Sequence, residues 1–158
     1  MQRESGRPAA GSKPCATGEL AFPWRPPDDP AWLDAQIAAG KTLGLDPACA
    51  RAACERLGTA VVHLHTHLRS SPSLAQRIVV SAPICLGEAV HAVTCEMAVN
   101  LDDVLRRRLA IALTAPPDAA AVQTVARTIA PHLAWTDAYA DAEAAAWCRQ
   151  RDAAESWR

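Results

Sequence analysis

Apolar side chains recur along much of this chain with the spacing of an α-helix. The clearest stripe falls at positions i, i+3, i+4, i+7 and i+11: Leu86, Ala89, Val90, Val93 and Met97. That spacing places one apolar face along a helix of 3.6 residues per turn, so it predicts a central helix over residues 82–99. The same spacing returns between Val122 and Leu133 and predicts a second amphipathic helix there.

Local start and stop signals predict the remaining helices. Asp-Pro pairs introduce the segments 30–43 and 47–57, where a proline at the first helical position sacrifices no intrahelical hydrogen bond. Gly44 and Gly58 are expected to end these two helices. Three more helices are predicted at 59–68, 100–113 and 136–154, capped by Thr59, Asn100 and Thr136.

The N-terminal segment differs from the rest of the chain. Residues 1–30 contain six of the twelve prolines and show no helical periodicity. We interpret 1–30 as a Pro-rich arm or linker, in which alternating apolar residues over 19–24 predict a short strand or packing arm. The segment 31–158 is then a helical domain. The expected fold is all-α, with five or six helices in a compact bundle behind an extended arm.

Composition and charge limit the functional classes. The 158 residues carry 16 Lys+Arg and 17 Asp+Glu, a net charge of -1, which argues against nucleic-acid binding because that needs a local excess of basic groups. No stretch approaches 18 apolar residues and the N-terminus lacks an apolar signal core, so neither a membrane span nor secretion is expected. The six cysteines form no C-x-x-C pair. We therefore expect reduced thiols and a cytoplasmic location.

A run of three alternating histidines is the first candidate for chemistry. On a strand, His63, His65 and His67 would share one face and favour a zinc or copper site. On a helix, His63 and His67 lie together while His65 points away, because successive residues turn by about 100°. The flanking signals favour a helix. We therefore expect no metal site and keep a small metal-binding protein as the least favoured alternative.

Glu96 is the second candidate, because it lies at the edge of the central apolar stripe. A partly desolvated carboxylate there needs compensation, and a planar guanidinium can meet it with two hydrogen bonds. The sequence predicts a structural ion pair between Glu96 and Arg107 or Arg108 on the following helix. The alternative interpretation of Glu96 is a catalytic acid. A Cys-His nucleophile pair has no local signature in this chain.

Residues 86–108 resemble a known family motif. The stretch LGEAVHAVTCEMAVNLDDVLRRR is similar to the pattern E-V-x-Y-A-V-R-x-E-x-A-x-T-x-x-D-x-L-x-R-R of the C-terminal helical domain of FAD-dependent glycerol-3-phosphate dehydrogenases and oxidases. The matching positions include Glu88, Ala92, Val93, Glu96, Ala98, Asp103, Leu105, Arg107 and Arg108. Three short segments resemble further parts of that domain: Arg56-Leu57-Gly58, Ser71-Pro72-Ser73-Leu74 and Leu133-Ala134-Trp135-Thr136.

The chain departs from this family pattern at three positions. The pattern has an aromatic residue where this chain has His91, a basic residue where it has Thr94, and a tyrosine where it has Leu57. The resemblance covers about residues 46–150, and residues 15–24 are similar to the linker that follows the FAD domain.

The resemblance implies that catalysis and this helical region belong to different domains. In the family, flavin binding and hydride abstraction from glycerol 3-phosphate belong to an N-terminal FAD domain. The expected function is therefore a stand-alone accessory domain, inactive without a separately encoded FAD domain as its partner. We expect no FAD, no cofactor-binding residue and no catalytic residue in this chain. The alternative is an independent helical interaction module.

Overall fold

The computed structural model describes residue 20 and residues 24–155, and within them the chain forms seven α-helices. These are α1 (Pro30–Thr42), α2 (Pro47–Leu57), α3 (Val61–Ser70), α4 (Leu86–Cys95), α5 (Ile111–Thr114), α6 (Ala119–Ile129) and α7 (Asp137–Glu155). In this part of the chain, extended backbone pairs only at one isolated bridge, between Arg77 and Cys85. The predicted all-α class is confirmed.

Side-chain caps fix the helix starts that the sequence signalled. The carboxylate of Asp29 accepts a hydrogen bond from the Ala31 amide at 2.9 Å. Asp46 caps α2 in the same way, and Asp118 Oδ1 accepts from the Ala121 amide at 2.8 Å at the start of α6. Each bond satisfies an amide that has no partner within its own helix. The predicted boundaries of α1 and α2 are therefore confirmed.

The central helix is shorter than predicted. It spans Leu86–Cys95 rather than 82–99, because residues 76–85 form a loop closed by the hydrogen bond from the Ile78 amide to the Ile84 carbonyl, 3.0 Å long. At the other end, Met97 adopts a left-handed backbone with φ 61°, a conformation that interrupts a right-handed helix.

The predicted helix 100–113 is also interrupted. Asn100 caps its start as expected, because its side-chain oxygen accepts a hydrogen bond from the Asp103 amide at 2.8 Å. The segment Asp103–Arg108 is then a π-helix, and Ala110, with φ 50°, separates it from α5. The wider turn appears in the hydrogen bond from the Leu109 amide to the carbonyl of Val104, five residues earlier.

Two apolar clusters make up the interior, and α4 lies where they meet. Side chains from α1, α2 and α3 form the smaller cluster around Leu45, Val61 and Leu64. The larger cluster joins α4, α6 and α7 and includes Trp147. Tyr139, also on α7, is exposed and packs edge-on against Trp135 with ring centroids 5.1 Å apart.

Two further expectations concern the packing arm and the absence of a membrane span. Of the predicted packing arm at 19–24, only residues 20 and 24 belong to the described part of the chain. Among the described helices, none is long and apolar enough to cross a membrane.

Candidate functional site

An open groove of about 550 Å³ lies on the side of the molecule where α2, α3 and the end of α4 come together. Residues from six parts of the chain line it: Trp24, Arg56, Leu57, Ala60, His63, His91, Cys95, Glu96, Met97 and Arg108. The groove thus combines two guanidinium groups, one carboxylate, two imidazoles and one thiol with apolar walls.

A buried ion pair supports the groove from beneath. The Nε and Nη2 atoms of Arg56 donate to the two carboxylate oxygens of Glu88 at 2.9 and 2.8 Å. Arg56 Nη2 also donates to the Pro83 carbonyl at 2.8 Å. The Glu88 side chain is 1% exposed and that of Arg56 is 31% exposed. This two-pronged contact ties α2 to the start of α4 and so fixes two walls of the groove.

The position of Glu88 in its helix explains why a carboxylate tolerates this burial. Glu88 is the third residue of α4, and its Oε1 accepts a hydrogen bond from the Cys85 amide at 3.1 Å. This is the glutamate half of a capping box, and the helix N-terminus favours negative charge. Burial raises the pKa of Glu88, while Arg56 and the Cys85 amide oppose that rise.

The structure gives Glu96 a different partner from the predicted one. Its Oε1 lies 3.9 Å from Nε2 of His91. Arg107 instead forms an ion pair with Asp103 at 3.3 Å. Arg108 lines the same groove as Glu96, but neither Arg107 nor Arg108 forms an ion pair with Glu96 in the described structure. The predicted kind of contact, a glutamate held by an arginine of another helix, is made by Glu88 and Arg56.

The three alternating histidines lie on a helix, α3, and point in different directions. His63 is exposed on the groove, with its ring centroid 6.2 Å from that of His91. His65 is buried on the opposite side, towards Gly40 of α1, and its Nε2 has no hydrogen-bond partner. His67 is half-buried, and its Nε2 lies 3.2 Å from the Thr94 hydroxyl. No single ion can therefore contact all three imidazoles.

A different set of donors does come together beside the groove. One ligand atom from each of His67, His91 and Cys95 lies within 4.8 Å of the other two. Two cysteines outside this set are buried, and burial raises the pKa of Cys49 and of Cys85 to about 12.

The described residues do not fit an FAD-binding domain. Dinucleotides bind where parallel strands end and a glycine-rich turn begins a helix. Residues 24–155 form helices and one isolated bridge, with no sheet to present such a turn. The expectation that this chain binds no flavin remains a prediction.

Exposed apolar side chains flank the groove. Met97, 86% exposed, occupies the left-handed position after α4, and Val99 follows it on the surface. Trp24 stands across the groove, held there because its carbonyl accepts a hydrogen bond from the Thr59 amide at 3.0 Å. At this exposure the Met97 side chain contributes little to the interior of the domain.

Comparison with known proteins gives a consistent result. A family model described as the C-terminal domain of alpha-glycerophosphate oxidase matches residues 29–140. Glycerol-3-phosphate dehydrogenase 2 of Mycobacterium tuberculosis is 33% identical over 107 residues, which is 67% of this chain and 18% of that protein. Glycerol-3-phosphate dehydrogenase of Synechocystis is 36% identical over 75 residues, 47% of this chain and 14% of that protein.

These relatives are much longer than the chain. It spans 18% of the Mycobacterium tuberculosis relative, so the similarity concerns one region of that protein. No solved structure matches the chain significantly.

Proposed function

Since the chain belongs to the family of C-terminal domains of alpha-glycerophosphate oxidase, we propose that it acts as the helical accessory domain of a FAD-dependent glycerol-3-phosphate dehydrogenase. The observation that carries this proposal is the family match over residues 29–140. The resemblance of residues 86–108 to the family motif supports it independently of the fold.

On this proposal the chain supplies no redox chemistry of its own. Flavin and glycerol 3-phosphate are bound by a separate FAD domain, and this chain is inactive without it. The absence of a sheet among residues 24–155 is consistent with that division, because a pyrophosphate-binding turn needs one.

The groove face is the surface proposed to dock on the FAD domain. Trp24, which precedes α1 in the chain, lines the groove, so the N-terminal side of α1 contributes to this face. Met97 and Trp24 offer large apolar contacts, and Arg108 offers a charged rim. Aromatic and methionine side chains of this kind are enriched at protein interfaces.

The Arg56–Glu88 pair has a supporting role in this arrangement. It holds α2 against the start of α4, and these two helices carry the opposite walls of the groove. A wall that is fixed before binding costs less conformational entropy when the partner docks. The pair is thus proposed to keep the docking face in shape rather than to contact the partner.

Titration calorimetry tests the docking face directly. The purified chain is titrated into the part of the Mycobacterium tuberculosis relative that precedes the aligned region, loaded with FAD. We expect a one-to-one complex that Trp24→Ala and Met97→Ser each weaken by about tenfold or more, as central apolar contacts do. Val80→Ser is the matched control, because Val80 is also highly exposed but lies outside the groove.

Two results would count against this proposal. An absence of binding would favour an independent helical interaction module. Equal effects of Val80→Ser and Met97→Ser would show that the groove face is not the docking surface.

A further inference from the structure

The donors beside the groove come from two neighbouring helices. His91 and Cys95 are four residues apart on α4, so their side chains lie on the same face of that helix. His67 reaches them from α3, which packs against α4. One ligand atom from each residue lies within 4.8 Å of the other two.

The separation of the three donor atoms is close to that between the ligand atoms of a metal site. In tetrahedral zinc coordination, nitrogen and sulfur ligands lie about 2.0–2.3 Å from the ion, which separates them by about 3.3–3.8 Å from one another. The three donors therefore need to approach by about 1 Å. Side-chain rotation of the exposed Cys95 and half-buried His67 can supply most of that movement.

His91 gives a second and independent indication of a ligand. Its side chain is 2% exposed, and its Nδ1 has no hydrogen-bond partner. A buried polar atom without a partner costs about 1–3 kcal/mol, so such atoms are rare in folded proteins. A bound ion at this cluster would relieve the isolation of the imidazole.

The groups around the cluster carry charge of both signs. Glu96 Oε1 lies 3.9 Å from His91 Nε2, the ring nitrogen opposite the unpartnered Nδ1. The Thr94 hydroxyl lies 3.2 Å from His67 Nε2 and 3.5 Å from Cys95 Sγ. His63 stacks on His91, and Arg108 lines the same groove.

We propose that His67, His91 and Cys95 form a site for a divalent transition-metal ion of the zinc type. Two imidazoles and a thiolate are a donor set that zinc prefers, and three protein ligands leave one position for water. Binding converts the Cys95 thiol to a thiolate and releases one proton to the solvent. The ion would join α3 to the end of α4. This proposal is independent of the accessory role proposed above.

The proposal departs from the sequence-based expectation of no metal. That expectation concerned the alternating histidines alone, and only His67 of that run belongs to the cluster. Burial lowers the pKa of His91 and also that of His67. Two positions at which the chain departs from the family pattern, His91 and Thr94, lie in or beside this cluster.

Zinc titration of the full chain tests the site. With a chromogenic chelator as competitor, we expect one Zn²⁺ per chain. Cys95→Ser, His67→Gln and His91→Tyr should each weaken binding by about tenfold or more, the range reported for disturbed metal sites. Tyrosine is chosen at His91 because the family pattern has an aromatic residue there. Urea unfolding of each variant shows whether its fold is intact.

A matched control makes the result decisive. Cys148→Ser removes a partly exposed thiol elsewhere, so it should leave zinc affinity within about threefold of the parent. Cobalt(II) should give a thiolate-to-metal charge-transfer band that Cys95→Ser abolishes. Failure of the parent chain to bind zinc would overturn the proposal. So would binding that requires His63 and not Cys95, because that pattern would assign the metal to the histidine run.

Discussion

Removing Arg56 should strand a buried carboxylate. Arg56→Met deletes the two hydrogen bonds to Glu88 and the bond to the Pro83 carbonyl. Glu88, 1% exposed, would keep only the Cys85 amide as a donor. Breaking a fully buried ion pair from one side costs about 3–5 kcal/mol. Because Arg56 is 31% exposed, water weakens the pair, and we expect a loss of about 2–3 kcal/mol.

Neutralising Glu88 should lower the free energy of unfolding by less than removing Arg56. Glu88→Gln keeps an oxygen that can accept from the Cys85 amide, and the partly exposed Arg56 can turn to water while still donating to Pro83. We expect a loss of about 1–2 kcal/mol. Combining Glu88→Gln with Arg56→Met removes the stranded charge, so the double variant should be less destabilised than the sum of the single variants. The coupling, read from urea unfolding at pH 7, should be about 1–3 kcal/mol.

The pH dependence identifies the stranded group. Without Arg56, burial raises the pKa of Glu88 further above its unfolded value, so the native state binds more protons than the unfolded state. Stability of Arg56→Met should then fall as pH rises from about 4.3 towards the folded pKa, by up to about 1.4 kcal/mol per pH unit. The double variant has no carboxylate at position 88, so it lacks this titration, while every other ionisable group is shared with the single variant. Single effects that add within about 0.5 kcal/mol, or parallel pH curves, would refute this reasoning.

Two further changes test local features of the fold. Gly58→Ala should lower the free energy of unfolding by about 1–3 kcal/mol, because Gly58 has φ 54° and an added Cβ would overlap the Trp24 carbonyl oxygen. The same variant should expose the segment before α1 to proteolysis. Unchanged stability and unchanged cleavage would contradict this prediction. Arg77 holds the pKa of Asp46 well below its usual range, so the stability from this pair should be present above about pH 4 and lost as pH falls below that value. Asp46→Asn should remove this acid dependence while keeping the cap, and Asp46→Ala should cost about 1 kcal/mol more in urea unfolding; equal stability of the two variants would argue against the cap.

Local signals sufficed where a helix end depends on neighbouring residues. Asp29 and Asp46 cap the helices that the Asp-Pro pairs predicted, and Gly58 ends α2. These features depend on residues within one turn of each other, so they are readable from the sequence. The family resemblance was recognisable for a similar reason, because its motif is contiguous over residues 86–108.

The ends of α4 depend on contacts that no local pattern encodes. The apolar stripe predicts a helix with one buried face. In the structure every residue from Leu86 to Ala92 is buried, because the two apolar clusters meet on this helix. A helix that is buried all round carries no single stripe to mark its limits. The left-handed backbone of Met97, an exposed residue, gave no sequence signal either.

The same burial explains why Glu88, and not Glu96, carries the buried charge. The apolar stripe points to Glu96 at its edge, whereas Glu88 meets Arg56, 32 residues away along the chain. One signal was available, since Arg56 and Glu88 both belong to the segments that resemble the family. The cluster of His67, His91 and Cys95 had no comparable signal, because it forms only when α3 packs on α4.

Glycerol 3-phosphate oxidation by a chimera tests the central claim most directly. In the chimera, this chain replaces the aligned region of the Mycobacterium tuberculosis relative, and it is assayed with an artificial electron acceptor beside the truncated relative and the chain alone. If the chain is an accessory domain of such a dehydrogenase, it should show neither flavin absorbance nor activity alone, and the chimera should exceed the truncated relative. A folded, FAD-loaded chimera no more active than the truncation, or a yellow and active isolated chain, would contradict it.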